Sequence, residues 1–180
     1  MRYVYQVLGQ RFMLTINDNL LTEASIGEDA NNLYYPAIST CTGLAVLLAD
    51  DTLLGAHFDK GLDSFDVYIM LQRLSEMQAG RAVLAMAVFG NLTYGEARAK
   101  CFMAKPDFGN GRMFQTFAEA FDFQGVVRHH DQGGAANRHY RVQAVGGGNW
   151  AIHSCPVPSL NGTPVRFDPY GVAWMAQPLV

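Results

Sequence analysis

Polar and apolar residues alternate from the start of the chain, so that Tyr3 to Leu8 and Arg11 to Ile16 each read as a strand, closed by the turn-forming Asn17-Asp18-Asn19. The polar stretch from Glu23 to Asn32 predicts a loop. An apolar run, Leu44 to Ala49, then meets Asp50-Asp51-Thr52 and returns through Leu53-Leu54-Gly55-Ala56-His57, the pattern of an antiparallel hairpin. The period changes afterwards. Val67, Met70, Leu71, Leu74 and Met77 recur at helical spacing, with Asp63 or Ser64 as N-cap and Gly80 as the stop, which predicts an amphipathic helix over 64–79.

Ala82 to Phe89 reads as a strand. Thr93-Tyr94-Gly95-Glu96 has the form of a capping box and predicts a short helix from Tyr94 to Met103, while Phe114, Phe117, Ala118 and Phe121 mark a third helical face. The last third turns to strands at Gly125 to Arg128, His139 to Val145 and Asn149 to Ser154, with Gly146-Gly147-Gly148 as a hairpin connection. Grouped strands and helices, with no internal repeat, predict an α+β layered domain. Its 180 residues suffice for one domain with a substantial core, spanning residues 1–180.

Composition narrows the function. Charged residues are 16% of the chain and the formal net charge is −3, so nothing marks it for nucleic acid or anionic lipid. The N-terminal residues lack the continuous apolar block of a signal peptide, and no run approaches the roughly 20 apolar residues of a membrane helix. Three cysteines, Cys41, Cys101 and Cys155, are too scattered for a disulfide framework. The expectation is a cytoplasmic protein without membrane insertion; delivery into another cell by a route independent of a signal peptide stays open.

The chemistry concentrates on Cys41 and His57. If Cys41 opens the first strand of the hairpin and His57 ends the second, thiol and imidazole come side by side, the arrangement of a base-activated sulfur nucleophile. An imidazole can take the thiol proton and pass it to departing ammonia, leaving a thioester that water then opens. The oxyanion of each step needs aligned donors, offered by the backbone N–H of Cys41 and a neighbour in the turn before the strand, with the hydroxyls of Ser39, Thr40 or Thr42 as possible support. Against this stands the ordinary buried cysteine of an apolar hairpin; Cys101, within a helix, and Cys155, before Pro156, are read as structural.

Thr40-Cys41-Thr42-Gly43 leading to Leu54-Gly55-Ala56-His57 resembles the cysteine and histidine signature of the chemoreceptor glutamine deamidases, the CheD family, whose superfamily includes the catalytic domains of the cytotoxic necrotizing factors. Ala87-Val88-Phe89-Gly90 is similar to their Val-Phe-Gly strand end. Gly109-Asn110 through Gly125-Val126-Val127, then Asp131-Gln132-Gly133-Gly134 and Arg138-His139-Tyr140-Arg141-Val142, follow in the same order, so the resemblance spans roughly residues 38 to 145. It implies a layered α/β/β sandwich with mixed sheets and helices packed on the outside. It implies also deamidation of a glutamine side chain in a partner protein, by an effector or toxin, with Cys41 as nucleophile, His57 as acid and base, and no cofactor or metal.

The chain departs from the CheD pattern where Ser39-Thr40 precede the cysteine, where Phe58-Asp59-Lys60-Gly61 follow the histidine, and where Tyr35 occupies the place of a catalytic threonine. In the necrotizing-factor branch the third group is, by the same resemblance, a backbone carbonyl. Two rival readings use the same residues differently. A papain-like hydrolase would combine Cys41 at a helix start with His139 and Asp168. A binding adaptor on a deamidase scaffold would carry an unreactive Cys41. Weaker candidates are a metal site at His129 and Asp131, for which a solvated strand end is the simpler reading, and a nucleotide cradle at the three glycines, which lack a phosphate-loop lysine.

Overall fold

A computed structural model describes residues 2–7, 10–59, 61–62, 64–92, 112–133, 137–157, 159–160, 163–164, 167–170 and 173–180. The helix expected from Tyr94 to Met103, with its capping box, lies outside the described residues.

The predicted hairpin forms the centre of the molecule. Strands β5 (Thr42–Leu48) and β6 (Leu53–Phe58) pair antiparallel, and every one of their residues is buried. Such runs belong to a sheet covered on both faces. Around them β1 (Arg2–Val7), β2 (Gln10–Asn17), β3 (Ser25–Asp29), β7 (Val83–Gly90) and β8 (Val127–Asp131) complete a mixed seven-stranded sheet in the order β1-β2-β3-β6-β5-β7-β8. The pairs β2–β3 and β7–β8 are parallel and the others antiparallel.

A second sheet lies across the first. It is antiparallel throughout, in the order β13-β10-β9-β4, from β4 (Asn32–Ile38), β9 (Arg138–Gly146), β10 (Asn149–Pro156) and β13 (Met175–Ala176). A short hairpin of β11 (Ser159–Leu160) and β12 (Thr163–Pro164) stands apart. Helices α1 (Ser64–Gln78) and α2 (Arg112–Ala120) cover the other face of the seven-stranded sheet. The layers are thus helix, sheet and sheet, the expected α/β/β sandwich, with mixed pairing confined to the larger sheet.

Side-chain alternation along the central strands builds two cores. Leu44, Val46, Leu48, Leu54, Ala56 and Phe58 face the helices, meeting Val67, Met70, Leu71 and Leu74 of α1 and Phe117 of α2. Ala45, Leu47 and Leu53 face the second sheet with Tyr35, Phe89, Tyr140, Val142 and Cys41. Helix α1 ends where Ala79 and Gly80 take φ of 54° and 76°, the left-handed stop the sequence predicts at Gly80. In the β5–β6 turn Asp51 sits at φ 62°, and its carboxylate accepts the backbone N–H groups of Gly147 and Gly148, fastening the β9–β10 turn to the first sheet.

One expectation is overturned. The stretch from Glu23 to Asn32 is not all loop: β3 pairs parallel with β2 and antiparallel with β6. Its single large apolar residue, Ile26, is fully buried. A β-carbon on Gly27 would stand 2.6 Å from the carbonyl oxygens of Asn17 and Asp18 and 2.7 Å from Leu21, so glycine there permits the approach of the chain leaving β2. Backbone pairing on both sides outweighs the polar composition that predicts a loop.

Candidate functional site

The site is built where residues 18–24 pass from the first sheet toward the second. The Leu21 N–H donates to the Tyr34 carbonyl and the Tyr34 N–H to the Asn19 carbonyl, both at 2.8 Å, which ties this crossover to β4. Leu21 is thereby held with its own carbonyl 2.9 Å from Nδ1 of His57. A carbonyl oxygen can only accept, so Nδ1 carries the proton and Nε2 bears the lone pair. Nε2 is buried and makes no hydrogen bond. Burial pushes the imidazole down to about 4, against the weaker opposing effects of the Leu21 hydrogen bond and the Asp59 charge, so the ring is neutral at pH 7.

Cys41 immediately precedes β5, and its side chain belongs to the core between the sheets. His57 projects into the same space, because Leu54, Ala56 and Phe58 on alternate positions face the helices. The register differs by two residues from the expected side-by-side placement: Gly43 stands directly across from His57, Thr42 pairs with Phe58, and Asp59 follows opposite Cys41. Cys41 is therefore diagonal to His57, a separation of about 7–8 Å between cross-strand Cα positions. Nearer to the sulfur are two carboxylates, Oδ1 of Asp59 at 3.8 Å and Oε1 of Glu23 at 3.9 Å. Cys41 is 1% exposed and His57 fully buried, while Glu23 is exposed.

The backbone under Cys41 is braced by groups far away in sequence. The Asn91 N–H donates to the Cys41 carbonyl at 3.4 Å and its side-chain amide to the Ser39 carbonyl at 3.2 Å. Gln132 donates to the same Ser39 carbonyl at 3.0 Å and in turn accepts from the Tyr140 hydroxyl at 3.2 Å. Gly90 has φ 117°, and a β-carbon there would stand 2.6 Å from the Cys41 carbonyl; one on Gly43 would stand 2.3 Å from the Phe89 ring. The Val-Phe-Gly strand end thus has a local physical reason. Its glycine lets the cysteine turn pass, and its phenylalanine fills the space Gly43 leaves.

Other expected site residues fall differently. Tyr35 is fully buried with its ring 6.4 Å from that of His57, but its hydroxyl donates to the Leu44 carbonyl at 2.7 Å, in space left by Gly55. Burial raises its phenol well above the ordinary value, so it stays neutral. Ser39 and Thr40 form the bend leading to Cys41. Thr42, by alternation with Leu44 and Val46, faces the helix layer and not the cysteine.

The papain-like set is not assembled. Residues 42–48 form a strand, not a helix, and His139 lies on the outer face of the second sheet, where its ring meets Phe167 at 4.7 Å. Asp168 is engaged in a turn with the Tyr170 N–H. His129 stacks on Phe114, and the Asp131 carboxylate accepts from the Leu92 and Gly133 N–H groups; among the described residues no third ligand joins them.

Leu21, Glu23, Asp59, Asn91 and Gln132 were not singled out by residue type. A main-chain carbonyl has no signature in sequence, and of the two carboxylates only Asp59 adjoins an end of the hairpin, while Glu23 precedes β3. The arrangement holds a neutral, oriented imidazole on the same face of the sheet as the thiol. No protein-family model matches the chain, and no curated protein matches it significantly.

Proposed function

We propose that the protein is a cysteine amidohydrolase acting on a glutamine side chain of a partner protein, with Cys41 as nucleophile and His57 as general base and acid. The observation that carries this reading is the Leu21 carbonyl on Nδ1 of His57, which leaves Nε2 unprotonated and unpaired on the sheet face that also carries the thiol. It supplies a backbone carbonyl as the third group, as in the necrotizing-factor branch that the motifs resemble. Tyr35, at the position of the CheD threonine, serves the packing instead.

The proposed reaction runs in two halves. His57 takes the Cys41 proton as sulfur attacks the amide carbon, and returns it to the leaving nitrogen as the C–N bond breaks and ammonia departs. Water deprotonated by His57 then opens the thioester, releasing glutamate and restoring the thiol. In the free protein Cys41 and His57 are diagonal, so the first half requires the sulfur to swing toward Nε2, a rotation about the cysteine χ1 bond that substrate would favour.

The test is ammonia release and mass analysis of proteins incubated with the wild type and with Cys41→Ala. The expected gain is about 1 Da at a glutamine, present only with the wild type; equal products from both proteins would sink the reading. The adaptor reading has its own support in the burial of Cys41 and in the carboxylates of Glu23 and Asp59 beside it. Iodoacetamide labelling separates the two. Under the enzyme reading Cys41 labels faster than Cys155, and under the adaptor reading it does not.

A further inference from the structure

We propose that Gln132 is a positioning residue of the candidate site: its side-chain amide holds the Ser39 carbonyl so that the N–H of the same peptide, that of Thr40, faces the side of the Cys41 sulfur as an oxyanion donor. The catalytic consequence rests on the proposed amidohydrolase reading.

Gln132 follows β8 directly and is fixed at both ends of its side chain. Its backbone N–H donates to the Gly90 carbonyl at 2.8 Å, its Nε2 to the Ser39 carbonyl at 3.0 Å, and its Oε1 accepts the Tyr140 hydroxyl at 3.2 Å. The Ile38 carbonyl lies 3.4 Å from the same Nε2. Carbonyl oxygens only accept, so they fix the nitrogen end of the amide toward Ser39 and leave its oxygen to Tyr140. Tyr140 is itself fully buried and stacked on Phe89 with ring centroids 4.8 Å apart. Burial raises its phenol above the ordinary value, which keeps it a donor.

A planar trans peptide points its C=O and N–H in opposite directions. The Ser39 oxygen is drawn to the β7 and β8 ends by Gln132 and, at 3.2 Å, by the Asn91 side-chain amide, while the Asn91 N–H draws the Cys41 carbonyl the same way. The Thr40 N–H is therefore turned to the β6 side. There the sulfur has its carboxylate neighbours, Asp59 after β6 at 3.8 Å and Glu23 before β3 at 3.9 Å. Among the described residues the Thr40 N–H has no hydrogen-bond partner. An oxyanion formed beside two carboxylates needs such a donor, and a donor held in advance costs no reorganisation when the charge develops.

Kinetics on unfolded casein, as a glutamine-bearing probe with ammonia as the measured product, test the assignment. Gln132→Leu is expected to lower kcat about tenfold or more at a KM near that of the wild type, the mark of an interaction made in the transition state. Alkylation of Cys41 by iodoacetamide is expected to keep its wild-type rate, because displacement of iodide forms no oxyanion. Gln132→Glu preserves the shape of the side chain and serves where Gln132→Leu fails to fold. Its carboxylate cannot donate to Ser39 and its protonated form can, so its kcat relative to the wild type is expected to rise as the pH falls through the carboxyl range. An alkylation rate that falls together with kcat, or a Gln132→Glu deficit indifferent to pH, overturns the assignment. Equal ammonia from the wild type and Cys41→Ala overturns the amidohydrolase reading and this assignment with it. Ammonia from the wild type and not from Cys41→Ala, with kcat undiminished in Gln132→Leu, overturns the assignment to Gln132 alone.

Discussion

Among the described residues two buried cysteine–histidine pairs stand out, and they differ in which ring nitrogen carries the proton. Cys41 and His57 lie between the two sheets; Cys155 and His139 are direct partners across β10 and β9 on the outer face of the second sheet. Proximity in register favours the second pair. Yet Nδ1 of His139 accepts the Ala37 N–H at 3.0 Å, which puts its proton on Nε2, whereas Nδ1 of His57 donates to Leu21 and leaves Nε2 bare. Burial also pushes the Cys155 thiol up, with the Arg138 charge opposing more weakly. What would qualify a histidine as a base is the partner on its far nitrogen, and here the backbone decides that partner.

The sharpest way to break this comparison is to remove each imidazole in turn. His57→Ala is expected to lower ammonia release by about a thousandfold, within the range of general acid–base catalysis, and His139→Ala to leave the rate near that of the wild type in folded protein. Initial rates with saturating substrate, with circular dichroism to confirm folding, decide it. Equal losses in the two variants would abolish the distinction between the pairs.

The next effect is on stability against pH. Unfolding returns His57 to its ordinary value of 6.5, while the folded protein keeps the ring neutral down to about 4. Below pH 6.5 the unfolded chain therefore takes up a proton that the folded chain refuses, so stability is fully present above 6.5 and declines as pH falls toward 4. The loss reaches up to about 3 kcal/mol. His139, His130 and His153 are lowered as well, each chiefly by burial, and act in the same direction. Urea unfolding at a series of pH values is expected to show a shallower acid loss in His57→Gln than in His139→Gln.

Backbone placement separates the pairs as well. Cys155 sits in a regular ladder, whereas the turn before Cys41 depends on Gly90 with φ 117° and the carbonyl of Cys41 against it. Gly90→Ala introduces a clash with that carbonyl and a strained backbone, and is expected to cost about 2–3 kcal/mol in urea unfolding. A neutral result would show that the cysteine turn shifts freely.

Much of this architecture is legible in the sequence, for stated reasons. The hairpin of β5 and β6, helix α1 with its Gly80 stop, and the strands β7, β9 and β10 follow from apolar runs and turn residues whose local preferences agree with their surroundings. β3 is not legible, because Ser-Ile-Gly-Glu-Asp gains strand character only from the partners on its two sides. At the candidate site, Cys41 and His57 are visible by residue type, but the two-residue offset of register and the carbonyl on His57 are products of packing. The crossover at Leu21 also depends on Gly27 being bare, a tertiary relation with no local trace.

Tyr35 offers the smallest and most discriminating test of where catalytic chemistry stops and scaffold begins. Its ring stands edge-on to Phe89 with centroids 4.8 Å apart, and its hydroxyl is committed to the Leu44 carbonyl on the neighbouring β5 strand. Tyr35→Phe keeps the ring and deletes only that hydrogen bond, leaving a buried carbonyl with one partner fewer. The expected cost is about 1 kcal/mol of stability. Ammonia release should stay within the wild-type range, because the hydroxyl touches neither His57 nor Cys41 by hydrogen bond. A large fall in rate at unchanged stability would instead make Tyr35 part of the reacting constellation and move the third group from Leu21 to the position that the CheD threonine occupies.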